Sequence, residues 1–386
     1  MVTLDKILGQ EKPLSAIDRI ITQGKRGQAV MLIGRPGIGK FALANYMAAR
    51  FLCANDSSAC GQCQSCRAID RNSHPDFLQV FPFPNLASES KKNTLFHFSD
   101  PVTSDARFSD SATEEVNRFI EEKADDPYRV VSFKKKGNIP VSVVRDLIRA
   151  IGKRPMMGQR RAVVICDIDQ MAYGAADLFL KTVEEPPEDT LIVLTTSQPH
   201  MLLPTLLSRA TKITLSPVSD DLVKQYLTKH NIKSGTDFYI RYSGGSPGLA
   251  LKACEEDLLT ARDEQWKIVS NYITKRSLPG TVELLRRKYP WGGGYDEVRR
   301  DFEILEKLLC DLYMAKMGLD NNLVNIDIMK EIVNCASSAP APEAMRQWFA
   351  ILGKASRVSR INNVSADMAF IGAYIEFERA SAQYSS

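Results

Sequence analysis

The residues with the clearest chemistry are Gly34-Arg35-Pro36-Gly37-Ile38-Gly39-Lys40, a G-x-x-x-x-G-K run. Glycines at that spacing let backbone N–H groups curl around an anion, and the closing lysine neutralises the outer phosphates. The next residue should be Ser or Thr, whose hydroxyl holds Mg²⁺. Here it is Phe41, which offers a hard cation no oxygen. The phosphate cradle is therefore expected to survive without its metal-dependent chemistry; the alternative is a loop kept only for strand-to-helix packing. A second group is Cys53, Cys60, Cys63 and Cys66. Four thiolates at these intervals suit a closed tetrahedral Zn²⁺ site, structural rather than catalytic. A redox pair from Cys60 and Cys63 is the rival reading, and a cytosolic setting argues against disulfides. His74 is a fifth candidate ligand, but it reads better as a turn residue within His74-Pro75-Asp76-Phe77. Third, Asp167 ends the apolar run Ala162-Val163-Val164-Ile165-Cys166. Nucleotide folds place there the carboxylate that steadies Mg²⁺ through water. Ile168 follows it and Asp169 lies one residue further; Asp169 is not assigned the role of general base.

These residues need a scaffold, and apolar runs supply one. Ala29–Ile33 reads as a buried parallel strand feeding the loop, and Phe41–Arg50 as a strong helix behind it. Lys12–Ile21 carries Leu14, Ile17, Ile20 and Ile21 at helical spacing. From Pro82 to Lys136 periodicity fades into a polar stretch that reads as a long mobile insertion, with one polar helix over Thr113–Ala124 and a solvated Lys134-Lys135-Lys136 run. Order returns with a helix presenting Val143, Val144, Leu147, Ile148 and Ile151, then the strand before Asp167. A helix over Ala175–Glu185 turns Leu178, Phe179, Thr182 and Val183 inward and stops at Pro186-Pro187. Strands at Leu191–Leu194 and Ile213–Leu215 complete an alternating pattern, which means a parallel α/β core over 1–215. Beyond Pro217 the chain is helical: a small unit over 216–262, then an all-α region over 263–386 with loops near Gly292-Gly293-Gly294 and Pro340-Ala341-Pro342.

At 386 residues the chain is too long for one ordinary core. Its 44% hydrophobic and 25% charged residues are those of a soluble globular protein. No run approaches the roughly 20 apolar residues of a membrane span, and Met1–Lys6 lacks a signal-peptide pattern, so the cytoplasm is the expected compartment. The balance of 50 basic and 46 acidic residues, net +4, permits contact with nucleic acid without arguing for it. Cys166, Cys254, Cys310 and Cys335 stand apart from the cluster and are expected as buried thiols.

Taken in one order, Gly34–Lys40, the four clustered cysteines, His74-Pro75-Asp76, Leu180-Lys181-Thr182-Val183-Glu184-Glu185-Pro186-Pro187 and Ser208-Arg209 resemble bacterial clamp-loader subunits of the AAA+ class, over about residues 5–255. Ile7-Leu8-Gly9-Gln10 resembles the short box that cups adenine there. The resemblance implies an AAA+ P-loop core bearing zinc (53–66), a helical lid and a C-terminal collar for oligomerisation. It also implies a hetero-oligomeric ring of loader subunits, acting on a sliding clamp and primed DNA, with no membrane partner. Motor subunits of that class carry Ser or Thr after the loop lysine, Asp-Glu at the strand tip and a lid arginine; here stand Phe41, Asp167-Ile168 and Gly248. These three defects imply a non-motor member without intrinsic ATPase and put ATP binding in doubt. What remains is Arg209, which the resemblance makes an arginine finger acting on a neighbouring subunit's nucleotide. A working motor subunit, a P-loop phosphotransferase and a zinc-dependent DNA-binding regulator are the competing readings. The cysteine cluster and the Ser208-Arg209 context have no place in the phosphotransferase, and no basic recognition helix supports the regulator.

Overall fold

The computed structural model describes residues 4–23, 27–55, 59–71, 73–83, 110–133, 137–275, 277–290, 294–361 and 365–384. Residues 84–109 of the expected insertion, Lys134-Lys135-Lys136 and Gly292-Gly293 lie outside them. The chain divides into two compact units, residues 1–230 with 244–252, and residues 231–243 with 253–386. Among the described residues no helix is long and apolar enough to cross a membrane.

The first unit opens with α1 (Glu11–Gln23), β1 (Gln28–Ile33), α2 (Lys40–Leu52), α3 (Gln64–Asp70), β2 (Phe77–Val80) and α4 (Asp110–Asp125). It continues through α5 (Val141–Ile151), β3 (Arg161–Ile165), α6 (Ala175–Glu184), β4 (Thr190–Thr196), α7 (Pro204–Arg209), β5 (Thr211–Thr214) and α8 (Asp220–Lys229). The five strands form one parallel sheet in the order β2-β3-β4-β1-β5. A parallel sheet is covered on both faces, so its central strands carry unbroken apolar runs. Val30, Met31, Leu32, Ala162, Val163, Val164, Ile165, Ile192, Val193 and Leu194 are all fully buried. The expected α/β P-loop core is thus what the chain forms. On α6 the buried stripe is Ala175, Phe179 and Val183, spaced four apart, whereas Leu178 lies about 100° round the helix and is 42% exposed. It does not face inward as expected.

Where the stretch expected as an insertion is described it is tied to the core, and the helix expected within it is present as α4. It leaves and rejoins the core at a paired neck, where Phe83 and Asn138 exchange backbone hydrogen bonds of 2.9 Å. Its helix α4 is longer than expected and has an apolar face: Val116 and Phe119 are buried, and Phe119 stacks on Phe81 with ring centroids 4.4 Å apart. Phe133 stacks on Phe119 at 5.4 Å. Phe83, Phe119 and Phe133, the phenylalanines of the polar stretch that are described, therefore anchor it to the core.

Asp76 explains the His74-Pro75-Asp76 sequence. Its carboxylate is fully buried and accepts N–H bonds from Met156 and Met157 and a bond from the Arg161 guanidinium, at 2.6–3.1 Å. His74 turns its Nδ1 to the Asp76 N–H at 3.1 Å, the turn role expected of it.

The second unit contains α9 (Thr236–Ser243), part of α10 (Pro247–Glu255), α11 (Leu258–Lys275), α12 (Leu278–Lys288), α13 (Tyr295–Lys316), α14 (Met329–Ser338), α15 (Pro342–Ile361) and α16 (Ala366–Ala382). It is all helical, as expected. Aromatics fill its core: Phe302 stacks on Phe370 at 4.1 Å, and Trp348 lies on Phe377 at 4.8 Å while its indole N–H donates to the Phe377 carbonyl. Of the isolated cysteines, Cys166 and Cys335 are buried as expected, Cys254 is half-buried, and Cys310 is exposed on α13. The core face of α13 carries Leu305, Leu308, Leu309 and Leu312.

Candidate functional site

The loop Gly34–Gly39 runs from the end of β1 into α2, at the edge of the sheet where parallel strands end and nucleotides bind. Gly37 and Gly39 have φ of 69° and 110°, a left-handed backbone that favours glycine. The loop is held from outside: Ser246 Oγ donates to the Pro36 carbonyl at 2.6 Å, and the Gly248 N–H donates to the Gly37 carbonyl at 3.0 Å.

Lys40 does not project freely. Its side chain is 6% exposed, and its ammonium donates to Gly34 O at 2.8 Å, Arg35 O at 2.9 Å and Ser197 Oγ at 2.8 Å. An ammonium has three donors, and these acceptors use all of them. Burial lowers its pKa from 10.5 to about 8, Lys123 pushes the same way, and Asp167 and Asp169 pull against the shift. Asp167 stands just past β3 with φ 46°, its N–H donating to Thr195 Oγ1 at 3.0 Å. Burial raises its pKa against the pull of Lys40. The structure thus brings Lys40 and Asp167 into one electrostatic cluster. Ile168 is buried and offers no polar atom to a water.

Sequence reasoning missed the groups that share this cluster. Tyr128, 4% exposed, lies against the loop: a β-carbon built on Gly39 would come within 2.6 Å of its ring. Its hydroxyl accepts the Leu8 N–H at 2.8 Å. Val130 approaches Gly37 in the same way, and a β-carbon on Gly248 would meet the Tyr128 carbonyl at 1.9 Å. Lys123 of α4 places its ammonium 5.0 Å from the centroid of the Phe41 ring, a cation–π distance, and donates to Arg129 O at 2.6 Å. Burial lowers its pKa too. Nothing local to Tyr128 or Lys123 marks them, because they reach the loop across more than eighty residues. Ser197 was within reach of inference, since it directly follows β4 at the same sheet edge as Asp167.

The four clustered cysteines converge. Their sulfur atoms all lie within 4.8 Å of one another, with Cys53–Cys63 and Cys60–Cys66 at 3.9 Å. A disulfide needs about 2.05 Å, so these are thiols. Four ligands about 2.3 Å from a tetrahedral metal sit about 3.8 Å apart, which these edges match. The Cys63 and Cys66 N–H groups point at Cys60 Sγ and Cys63 Sγ, each at 3.4 Å, as a thiolate cluster requires. The Cys63 N–H lowers the Cys60 pKa to about 6. The set can therefore hold a metal.

Arg209 ends α7, well exposed. Its guanidinium pairs with Glu184 of α6, Nε to Oε2 at 2.9 Å and Nη2 to Oε1 at 3.3 Å, and donates to Thr205 O at 3.0 Å. The Leu180–Pro187 and Ser208-Arg209 stretches are thus joined by one ion pair, through Glu184.

A family model described as "DNA polymerase III, delta subunit" matches residues 9–219. A DNA polymerase III subunit delta' of Pseudomonas aeruginosa is 29% identical over 189 residues, covering 48% of this chain and 42% of the relative. The Escherichia coli subunit delta' is 27% identical over 246 residues, covering 62% and 59%. The Bacillus subtilis subunit delta' is 20% identical over 363 residues, covering 93% and 94%. The chain spans about half the length of the first two relatives. It belongs to the DNA polymerase III delta subunit family.

The buried lysine gives a pH signature. Unfolded, Lys40 titrates near 10.5 and folded near 8, so between these values the unfolded chain binds more protons and folding stability rises with pH. Below about pH 8 both states are charged and the full burial penalty applies. Relative to Lys40→Met, the wild-type chain should gain about 2 kcal/mol of stability between about pH 7.5 and 9.5 in urea unfolding. A difference that does not change with pH would contradict the buried ammonium.

Proposed function

We propose that this member of the DNA polymerase III delta subunit family serves as the delta prime subunit of a clamp loader, the assembly that places a sliding clamp on primed DNA. It works in the cytoplasm, in a hetero-oligomeric ring with other loader subunits. In this reading residues 1–215 are the AAA+ core, 216–262 the lid and 263–386 the collar that joins the ring. The chain hydrolyses no ATP itself. Phe41 supplies no oxygen to Mg²⁺, Ile168 cannot orient a water, and Gly248 stands where a lid arginine would be. Phosphoryl transfer is mostly positioning and charge neutralisation, so these losses remove most of the rate.

The observation that carries the reading is Arg209, exposed at the end of α7 and steadied by Glu184, on a chain whose own loop lysine is fully engaged. A guanidinium so placed reaches outward to the γ-phosphate held by a neighbouring subunit and neutralises charge that builds during transfer. Leaving Glu184 costs little, since exposed ion pairs contribute about 0–1 kcal/mol. Cys53, Cys60, Cys63 and Cys66 hold one structural Zn²⁺, which clips the segment after α2 to α3 and leaves no position open for substrate.

In a loader reconstituted with clamp and primed DNA, Arg209→Ala should lower ATP hydrolysis about tenfold or more with assembly intact. Arg209→Lys should restore little, because it keeps the charge but loses the planar fork. An unaltered rate would make the arginine structural. Elemental analysis of chain purified without chelator should find one zinc per molecule. Cys63→Ser should lower the melting temperature by at least about 4 °C, and Cys254→Ser by less; zinc-free protein of wild-type stability would refute the assignment.

A further inference from the structure

The face of the loop that would receive a nucleotide is already in contact with the chain's own residues 115–130. The phenol end of Tyr128 lies against Gly39 while its hydroxyl accepts the Leu8 N–H, so one group touches both the phosphate loop and the Ile7-Leu8-Gly9 stretch. Val130 lies on Gly37. The Lys123 ammonium sits over Phe41, beside the place where a loop hydroxyl would have held a divalent cation. The segment is itself fastened from behind. Asp126, 7% exposed, accepts the Tyr128 N–H at 2.9 Å, accepts a hydrogen bond from the Tyr226 hydroxyl, and lies 3.3 Å from His230 Nε2. Tyr226 and Tyr128 also pack ring to ring at 5.8 Å.

We propose that residues 115–130 are an intramolecular occupant of the nucleotide site, with the Tyr128 phenol filling the path from loop to Leu8 and the Lys123 ammonium supplying the positive charge of an absent metal. A nucleotide would compete with this occupant for the space over Gly37 and Gly39 and for the Leu8 N–H. It must also draw Lys40 away from Gly34, Arg35 and Ser197. The loop geometry survives because it packs on Tyr128, and Gly248 is glycine because any side chain there collides with the Tyr128 carbonyl. The site is latent: withdrawing the segment would expose a phosphate-binding loop that lacks only its magnesium hydroxyl. This goes beyond the loader reading and stands or falls whatever Arg209 does in a ring.

The test is titration of the full-length chain with a fluorescent ADP analogue in the presence of Mg²⁺. Apparent affinity is the intrinsic affinity reduced by the fraction of open molecules. If about one molecule in 100 is open, the wild type should bind about 100-fold more weakly than Tyr128→Ala. Adding Lys40→Ala to Tyr128→Ala should abolish the gain, which places the ligand on the loop. Tyr226→Phe keeps the ring and the core but cuts the fastening of Asp126, and it should tighten binding in the same direction by a smaller factor. It decides the matter if Tyr128→Ala fails to fold. Wild-type protein that binds the analogue as tightly as the variants overturns the proposal. So do folded variants that bind no better than wild type, or a gain indifferent to Lys40→Ala.

Discussion

The buried ammonium of Lys40 sets the terms for the first unit. A charge that deep must have its donors satisfied, and two loop carbonyls with Ser197 Oγ satisfy them. That arrangement fixes the curl of Gly34–Gly39, and the curl is what Tyr128, Val130 and the Gly248 backbone pack against. The lysine that in a working phosphate loop would face a ligand faces inward and acts as a structural clamp. Phe41 and Lys123 fit the same logic: where a hydroxyl and a metal would stand there is a ring under an ammonium.

Much of this was legible in the sequence for a simple reason. The strands of a parallel sheet are buried on both faces, so β1, β3 and β4 appear as apolar runs, and the phosphate loop and the cysteine spacing are local patterns. What escaped were contacts between distant segments. Residues 110–133 are polar in composition, and their anchors Val116, Phe119, Tyr128 and Phe133 fall at no strand or helix period that spans the segment. Leu178 and Cys310 were misplaced because apolar character alone does not fix a helix face; the stripe of neighbours at three and four residues does. Gly248 is the most instructive position. Read along the chain it is a missing arginine, whereas in space it is a close approach that no side chain can enter.

The division of labour follows from these packing facts. A chain whose loop is engaged by its own residues has no use for the magnesium hydroxyl, the water-orienting acid or the lid arginine, and all three are absent together. Arg209 belongs to a different surface. Its ion pair with Glu184 links α6 to α7 and leaves the guanidinium at the rim. On the proposed reading Arg209 would serve a neighbouring subunit, while Phe41, Ile168 and Gly248 stand where the groups serving the chain's own nucleotide would be.

The central claim is that the nucleotide site is closed by the chain itself. Hydrogen–deuterium exchange of the wild-type protein, with and without Mg-ATP at a concentration that saturates Tyr128→Ala but lies well below the weaker wild-type affinity, tests it most directly. The account predicts unchanged exchange over residues 34–41 and 115–130. Slower exchange across 34–41 together with faster exchange across 115–130 would show ATP entering and the segment leaving, and would contradict it.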